Sequence, residues 1–280
     1  LAQTLLTKAG MCRNAPLLPK RWKKPVRPIF TFLAAGLRQS SVSPSHPAIR
    51  LVWRLRLKQQ YFLVSAGMQS ILRSFSGQYE DLRRLPEKVA IHINDTHPTL
   101  VIPECMRLLM DEHGFGWDEA WEITTKTMSY TNHTILPEAL ERWPVELIQN
   151  LLPRMYMIIN EINERFCRQL WDAYPGDWGR IREMAIVADG QVQMAHLAIA
   201  GSHSVNGVAK LHTQILMRQV MSPFYELSPE KFNNKTNGIT HRRWLMKCNP
   251  MLADTINQAI GTGWHDYPCE LAALVPYARD

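Results

Sequence analysis

Four short stretches collect side chains able to hold a polar ligand. Asn94-Asp95-Thr96-His97-Pro98 follows directly on the apolar run Val89-Ala90-Ile91-His92-Ile93. Tyr130-Thr131-Asn132-His133-Thr134 opens a polar stretch that reaches Glu141. Gly201-Ser202-His203-Ser204 and Asn233-Asn234-Lys235-Thr236-Asn237-Gly238-Ile239-Thr240 are the other two. Amide and imidazole groups both donate and accept hydrogen bonds, carboxylates accept them, and an imidazole can change charge near neutral pH. Metal chemistry is not expected: no H-E-x-x-H is present, and His92 and His97 straddle a strand end instead of sharing a helix face. Gly201-Ser202-His203-Ser204-Val205 resembles a nucleophile elbow but lacks its second glycine. As a helix N-terminus, the same run suits anion binding or simple capping. No phosphate-binding glycine loop occurs.

The elements that must position these residues can be read from periodicity. Leu57, Tyr61, Val64, Met68, Ile71 and Phe75 recur every three or four residues and predict an amphipathic helix of about twenty residues. Val89–Ile93 predicts a buried strand of a parallel sheet. Asp95 or Thr96 would cap the helix that follows, with Pro98 in its first turn and Gly114 just past its end. In open α/β sheets a strand-to-helix turn of this kind is where ligands bind; a well-capped turn is the other reading. Asp118–Met128 predicts a helix, Ser129–Glu141 a polar loop, and Met155, Ile158, Ile159, Ile162, Phe166 and Leu170 a long helix. Val205, Val208, Ala209, His212, Ile215 and Leu216 predict a helix beginning just after Gly201–Ser204, and Asn237-Gly238 a turn. From the residues alone the reading is a helix-rich α/β protein with polar strand-to-helix turns.

Composition removes several function classes. The 280 residues are 46% hydrophobic and carry a formal charge of +7, but no acid precedes Glu80, and 13 of the 32 Lys and Arg lie in that span. The remaining 19 face 25 acids, so the positive charge is not a folded nucleic-acid-binding face, and no nucleic-acid partner is expected. Five widely spaced cysteines with no C-x-x-C pair suggest reduced thiols and a cytoplasmic protein. No apolar run of 18 residues predicts a membrane span. The N-x-Thr sequons at Asn94, Asn132 and Asn234 read as chance occurrences. Residues 1–54 are basic, proline-broken and without helical or strand period. They read as a transit peptide, a basic tail or out-of-frame translation.

The four stretches together resemble the glycogen/α-glucan phosphorylase family. The resemblance rests on Asn94–Pro98; on Tyr130 to Pro144; on Met194-Ala195-His196-Leu197 with Gly201 to Ala209; and on Asn234 to Ile239 with Arg242-Arg243-Trp244-Leu245. It runs from about Leu55 to near the C-terminus. It implies a Rossmann-like, glycosyltransferase-B-type fold. Residues 55–236 would be the later part of an N-terminal domain and 237–280 the start of a cofactor-bearing C-terminal domain, so the chain is expected to be a central piece. It implies phosphorolysis of terminal α-1,4-linked glucose in glycogen, starch or maltodextrin by inorganic phosphate, with pyridoxal 5′-phosphate as cofactor. His133 would bond the 6-hydroxyl of the glucosyl unit and Asn237 its far edge. Asp95 and His97 would line the pocket beside the anomeric carbon, Glu141 would stand in its wall, and Trp244 would lie near the cofactor. The lysine-bearing Gly-Thr-Gly-Asn-Met-Lys run of the family does not occur in this sequence, so the chain alone is expected to be inactive, with sugar binding as the most it retains. The family's homodimer is not expected of it. His241 stands where the family commonly has proline.

Overall fold

The computed structural model describes residues 47–279, with side chains from Leu51 to Ala278. The described chain divides into two compact units, residues 47–235 and 236–279.

The first unit is built on helix α1 (Pro47–Ser76). Leu57, Val64, Met68, Leu72 and Phe75 fall on one stripe of it and are buried, as a 3.6-residue period requires. After the one-turn helix α2 (Leu85–Lys88), strand β1 (Ile91–Asn94) buries Ile91 and Ile93. Helix α3 (Val101–Arg107) runs on through a π-helical turn, Leu108–Glu112, to Gly114, whose φ of 73° ends it as expected. Helix α4 (Trp117–Thr127) leads straight into β2 (Met128–Thr131). There follow β3 (Arg142–Pro144), α5 (Val145–Leu151) and the long α6 (Pro153–Ala173). Next come α7 (Trp178–Met184), β4 (Val187–Ala188), β5 (Gln191–Gln193) and α8 (Met194–Ala200). Strand β6 (Ser204–Gly207), α9 (Lys210–Ile215), α10 (Ser222–Leu227) and β7 (Phe232–Asn234) complete the unit.

Strands β1, β2, β6 and β7 form one sheet in that order, all parallel, with Ile93 opposite Tyr130, Tyr130 opposite Val205 and Val205 opposite Phe232. Parallel neighbours need long crossovers. Here α3 and α4 cross between β1 and β2, and α9 and α10 between β6 and β7. Strands β3, β5 and β4 make a small antiparallel sheet inserted between β2 and β6. Its β4–β5 hairpin turns on Asp189 and Gly190, both at positive φ (52° and 71°), the Asp-Gly pairing that a tight primed turn favours. The class is the expected one: helix-rich α/β around a parallel sheet.

The second unit has a π-helical stretch Arg242–Lys247, α11 (Pro250–Ile260) and a terminal 3₁₀ run, Pro268–Arg279. Its core is Ala253, Ile256 and Trp264. His241 is buried there; its Nε2 lies 3.0 Å from the carbonyl of His265 and its ring packs near Trp264. A proline at this position would have no ring nitrogen free to make that bond.

Three local expectations were wrong. Neither Asp95 nor Thr96 caps α3: a turn intervenes, held by Thr99 N to Thr96 O, Val101 N to Pro98 O and Ile102 N to Thr99 O, and the helix starts only at Val101. The predicted loop 129–141 begins as strand β2, because Tyr130 is buried between β1 and β6. Val205 belongs to strand β6 and not to the helix after it; Gly201–Ser204 therefore enters a strand and forms no helix N-terminus. Residues 47–54 are the first turns of α1, and the rest of the unmatched basic stretch lies outside the described residues.

Helix α1 is fastened to α3 by a buried carboxylate. Glu104 is fully buried and accepts from Tyr61 Oη (3.0 Å), Ser65 Oγ (2.7 Å), and both Nε and Nη2 of Arg107 (2.9 and 3.0 Å). A buried pair is costly to break from one side, though an apolar replacement of both partners can be neutral. Glu104→Ala should therefore lose about 3–5 kcal/mol in urea unfolding. The double variant Glu104→Leu/Arg107→Met should recover most of it; equal losses in the two would show that charge pairing is not the cause.

Candidate functional site

The parallel sheet brings the sequence-distant polar stretches to one edge, the C-terminal ends of its strands. An asparagine stands at each end: Asn94 closes β1, Asn132 follows β2, Asn206 lies in β6 and Asn234 closes β7. The strand ends are stitched sideways by Asp95 N to Thr131 O (2.9 Å), Asn132 N to Asn206 O (3.0 Å) and Lys235 N to Gly207 O (3.1 Å). Three of these asparagines are the sequon residues. Asn132 is fully buried, while Asn94 and Asn234 accept from His133 and from Thr213 Oγ1.

A directed chain of hydrogen bonds crosses this edge. Thr131 Oγ1 donates to Asn206 Oδ1 at 2.9 Å, and Asn206 Nδ2 donates to the carbonyl of Gly207 at 3.0 Å. A hydroxyl has a single hydrogen, so Thr131 Oγ1 must accept from Nε2 of His92, which contacts it. One strand over, Nε2 of His133 contacts Asn94 Oδ1. An amide oxygen only accepts, so Nε2 of His133 carries a hydrogen and donates to it. Burial, together with His133 and His203 nearby, holds His92 below the usual imidazole range; burial and His133 do the same to His212.

Glu141 is the anchor of the other half. Its side chain is 10% exposed. Oε1 accepts from Gln60 Nε2 (2.9 Å) and lies 3.6 Å from Arg56 Nη2, both on α1; Oε2 accepts from Thr96 Oγ1 (3.1 Å) and lies 3.5 Å from His97 Nδ1. Its backbone carbonyl accepts from Met194 N, at the start of α8. Strand β3 follows immediately, with the buried Trp143 edge-on to Trp53 of α1. Burial works to raise the Glu141 pKa, but the His97 hydrogen bond and charge, Gln60 and Arg56 outweigh it and hold the carboxyl below its ordinary value. His97 is raised, first by its hydrogen bond to Glu141 and against the effect of its burial; Asp95 adds to the rise and Arg56 opposes it. Asp95 itself sits at φ 62°, its carboxylate accepting from Thr96 N at 2.7 Å. The left-handed region is uncommon outside glycine, although Asp and Asn tolerate it best.

The structure thus gathers Asp95, His97 and Glu141 into one contact cluster and puts His133 at the end of the neighbouring strand. Asn237 and Trp244 belong to the second unit and are exposed there. Sequence reading missed Arg56 and Gln60, which lie on a helix with no motif, and also Thr131, Asn206 and the strand-end asparagines as a set. The last was visible as an Asn within three of the polar stretches and, at Asn206, two residues past the fourth.

Gly207 closes β6 against α9. A Cβ there would come within 2.4 Å of Thr213 Oγ1, 2.9 Å of His212 Nδ1 and 2.9 Å of the Thr213 Cα.

The chain matches the family model for carbohydrate phosphorylases over residues 51–280. It is 60% identical over 226 residues to the glycogen phosphorylase of Bacillus subtilis (strain 168). To the muscle form of glycogen phosphorylase from Ovis aries it is 53% identical over 237 residues, and to that from Homo sapiens 51% over 237. Each match covers 81% of this chain and 28% of the relative, so the chain spans little more than a quarter of the length of these proteins.

Two outcomes follow from this geometry. Gly207→Ala should lose about 1–3 kcal/mol by overpacking, whereas Gly116→Ala, with nothing within 4 Å of the added carbon, should be near neutral; thermal unfolding of the two distinguishes them. The His97–Glu141 pair should also shape the pH profile of stability. His97, raised above 6.5, contributes fully below that value and loses its contribution as pH rises through the folded pKa. Glu141, lowered below 4.5, contributes above that value and loses it as pH falls through the folded pKa. Both contributions are complete between about 4.5 and 6.5. His97→Gln should flatten the decline above 6.5 in urea titrations at stepped pH, and an unchanged slope would remove the pair as its source.

Proposed function

Because the chain belongs to the carbohydrate phosphorylase family, we propose that it supplies the glucosyl-binding strand edge of an α-1,4-glucan phosphorylase. That enzyme cleaves the terminal glucose of glycogen, starch or maltodextrin with inorganic phosphate and releases α-glucose 1-phosphate. The observation that carries the reading is the collection of Asn, His, Asp and Glu side chains on one edge of a parallel sheet, the edge at which open α/β folds bind ligands.

Each residue has a role its geometry can support. His133, with Nε2 committed to Asn94, leaves its other ring nitrogen to bond the 6-hydroxyl of the glucosyl unit. Asn237, in the second unit, is given the hydroxyls on the far edge of the sugar by the family resemblance alone. Asp95 and His97 line the pocket beside the anomeric carbon. The Asp95 carboxylate favours the positive character that develops there. Glu141 holds His97 and the α1 side chains in place as the pocket wall. Gln60 Oε1 and Asn132 Oδ1 are buried acceptors with no donor among the described residues, a lack that hydroxyl-rich ligands are suited to meet.

Pyridoxal 5′-phosphate is the cofactor of the proposed enzyme, but this chain's residues do not by themselves fit it. Trp244, the one residue assigned to it, is 71% exposed, and the lysine-bearing run is absent from the sequence. No step is therefore routed through it, and sugar binding is the most the 280-residue chain is expected to retain.

The test is a segment exchange. Residues 51–280 replace the matching segment of the Bacillus subtilis relative, and phosphate-dependent release of glucose 1-phosphate from maltodextrin is followed. The chimera should be active, and His133→Ala within it should lower kcat by about tenfold, the value of one good hydrogen bond. An unchanged rate refutes the role of His133. Phosphorolysis by the purified 280-residue chain refutes its assignment as a binding segment only.

A further inference from the structure

The parallel sheet has a second edge, at the N-terminal ends of the strands, and a cavity of about 410 Å³ opens there. It is lined by one face of α4, which runs into β2, by α6, by the Ala200–His203 link into β6, and by α10 with the Ser228–Lys231 link into β7. His203 N bonds to the carbonyl of Met128, the first residue of β2, which fixes this location opposite the strand-end asparagines. The cavity is within the size range of ligand pockets, roughly 300–1,000 Å³.

Its walls are aromatic: Trp117, Trp121, Phe166 and Phe224. The rings of Phe166 and Phe224 are parallel within 3°, at a centroid spacing of 6.1 Å. Its polar groups are mainly donors. The indole N–H of Trp117 and the hydroxyl of Ser202 are buried with no partner. Lys231 Nζ donates to the Ile199 carbonyl at 3.2 Å. An ammonium has three hydrogens, and no carboxylate lies within ion-pair distance of this one among the described residues. The other two cations of the lining are already paired, Lys126 with Glu122 and Arg165 with Asp118 and Glu161. Partial burial pushes the Lys231 ammonium below the usual lysine range, against the opposing charge of Glu230.

A ligand that meets these groups is flat and apolar over most of its surface and carries an acceptor with several lone pairs and a single negative charge. A hydrocarbon would leave the donors unsatisfied, and a polyanion would face Glu230, also in the lining, with only one cation available. We propose that this cavity is a binding site for a planar aromatic monocarboxylate, its ring against the tryptophans and Phe224 and its carboxylate on Lys231, Ser202 and the Trp117 N–H. The site is independent of the glucosyl-binding edge and does not rest on it.

Equilibrium dialysis of the 280-residue chain against indole-3-acetate and indole-3-acetamide tests this, since the two differ in charge and hardly in shape. The acid should bind saturably at one site, at least tenfold more tightly than the amide, and Lys231→Met should abolish the preference. No saturable binding, equal binding of acid and amide, or a preference that survives Lys231→Met overturns the proposal. A measurement that needs no altered fold uses ¹⁵N-labelled tryptophan in the unaltered chain, with Trp117→Phe only to assign the signal. The indole N–H of Trp117 should shift along the titration with the acid, and a stationary signal overturns the site.

Discussion

A single buried carboxylate decides how the polar edge of this molecule is laid out. Glu141 touches α1 through Gln60 and Arg56, the turn after β1 through Thr96 and His97, and α8 through its own carbonyl. Withdrawing a charged group from water is expensive unless it is paired and hydrogen-bonded. The three elements are therefore drawn to one point, and their separations are set by the reach of the side chains that satisfy it. The strained backbone at Asp95 is tolerated in the same place, since the turn that contains it is held at both ends, by Thr131 O on one side and the Thr96–Glu141 bond on the other.

Around this anchor the parallel sheet does the rest of the positioning. With every strand pointing the same way, residues as far apart in sequence as Asn94 and Asn234 come to a common edge. The bonds between strand ends lock that edge more firmly than a cluster of loops would. The opposite edge has its own cavity with a different chemistry, aromatic and donor-rich where the first is amide- and carboxylate-rich.

Much of the helical framework was legible in the sequence. The stripe Leu57–Phe75, the helix at 117–127 and the long helix from 153 to 173 all carry a sustained 3.6-residue period. The strands were legible only where a continuous apolar run announced them, as at Ile91–Ile93. Ser129-Tyr130-Thr131 and Ser204-Val205-Asn206 are too short and too polar for a period to form. They are strands because a neighbour is there to pair with, which is a property of the sheet and not of the segment. At the candidate site, the residues in polar stretches could be read as ligand-binding from type alone. Arg56 and Gln60 could not, because a polar residue on a helix face usually meets only water. The partner that gives them a role is 81 residues away from Gln60 in sequence.

The order of the strands also sets the timing of folding. Thr131 and Asn206, bonded across β2 and β6, are 75 residues apart. At roughly 5–20 residues per second, a ribosome completes β6 some 4–15 s after β2. During that interval the nascent chain carries β1 and β2 with the outer edge of β2 unpaired and the apolar face of α4 waiting for its cover. An open strand edge is a template for pairing with the wrong chain. The small antiparallel sheet and α5 to α8 emerge in this gap, and α8, which packs against β2, is made within it.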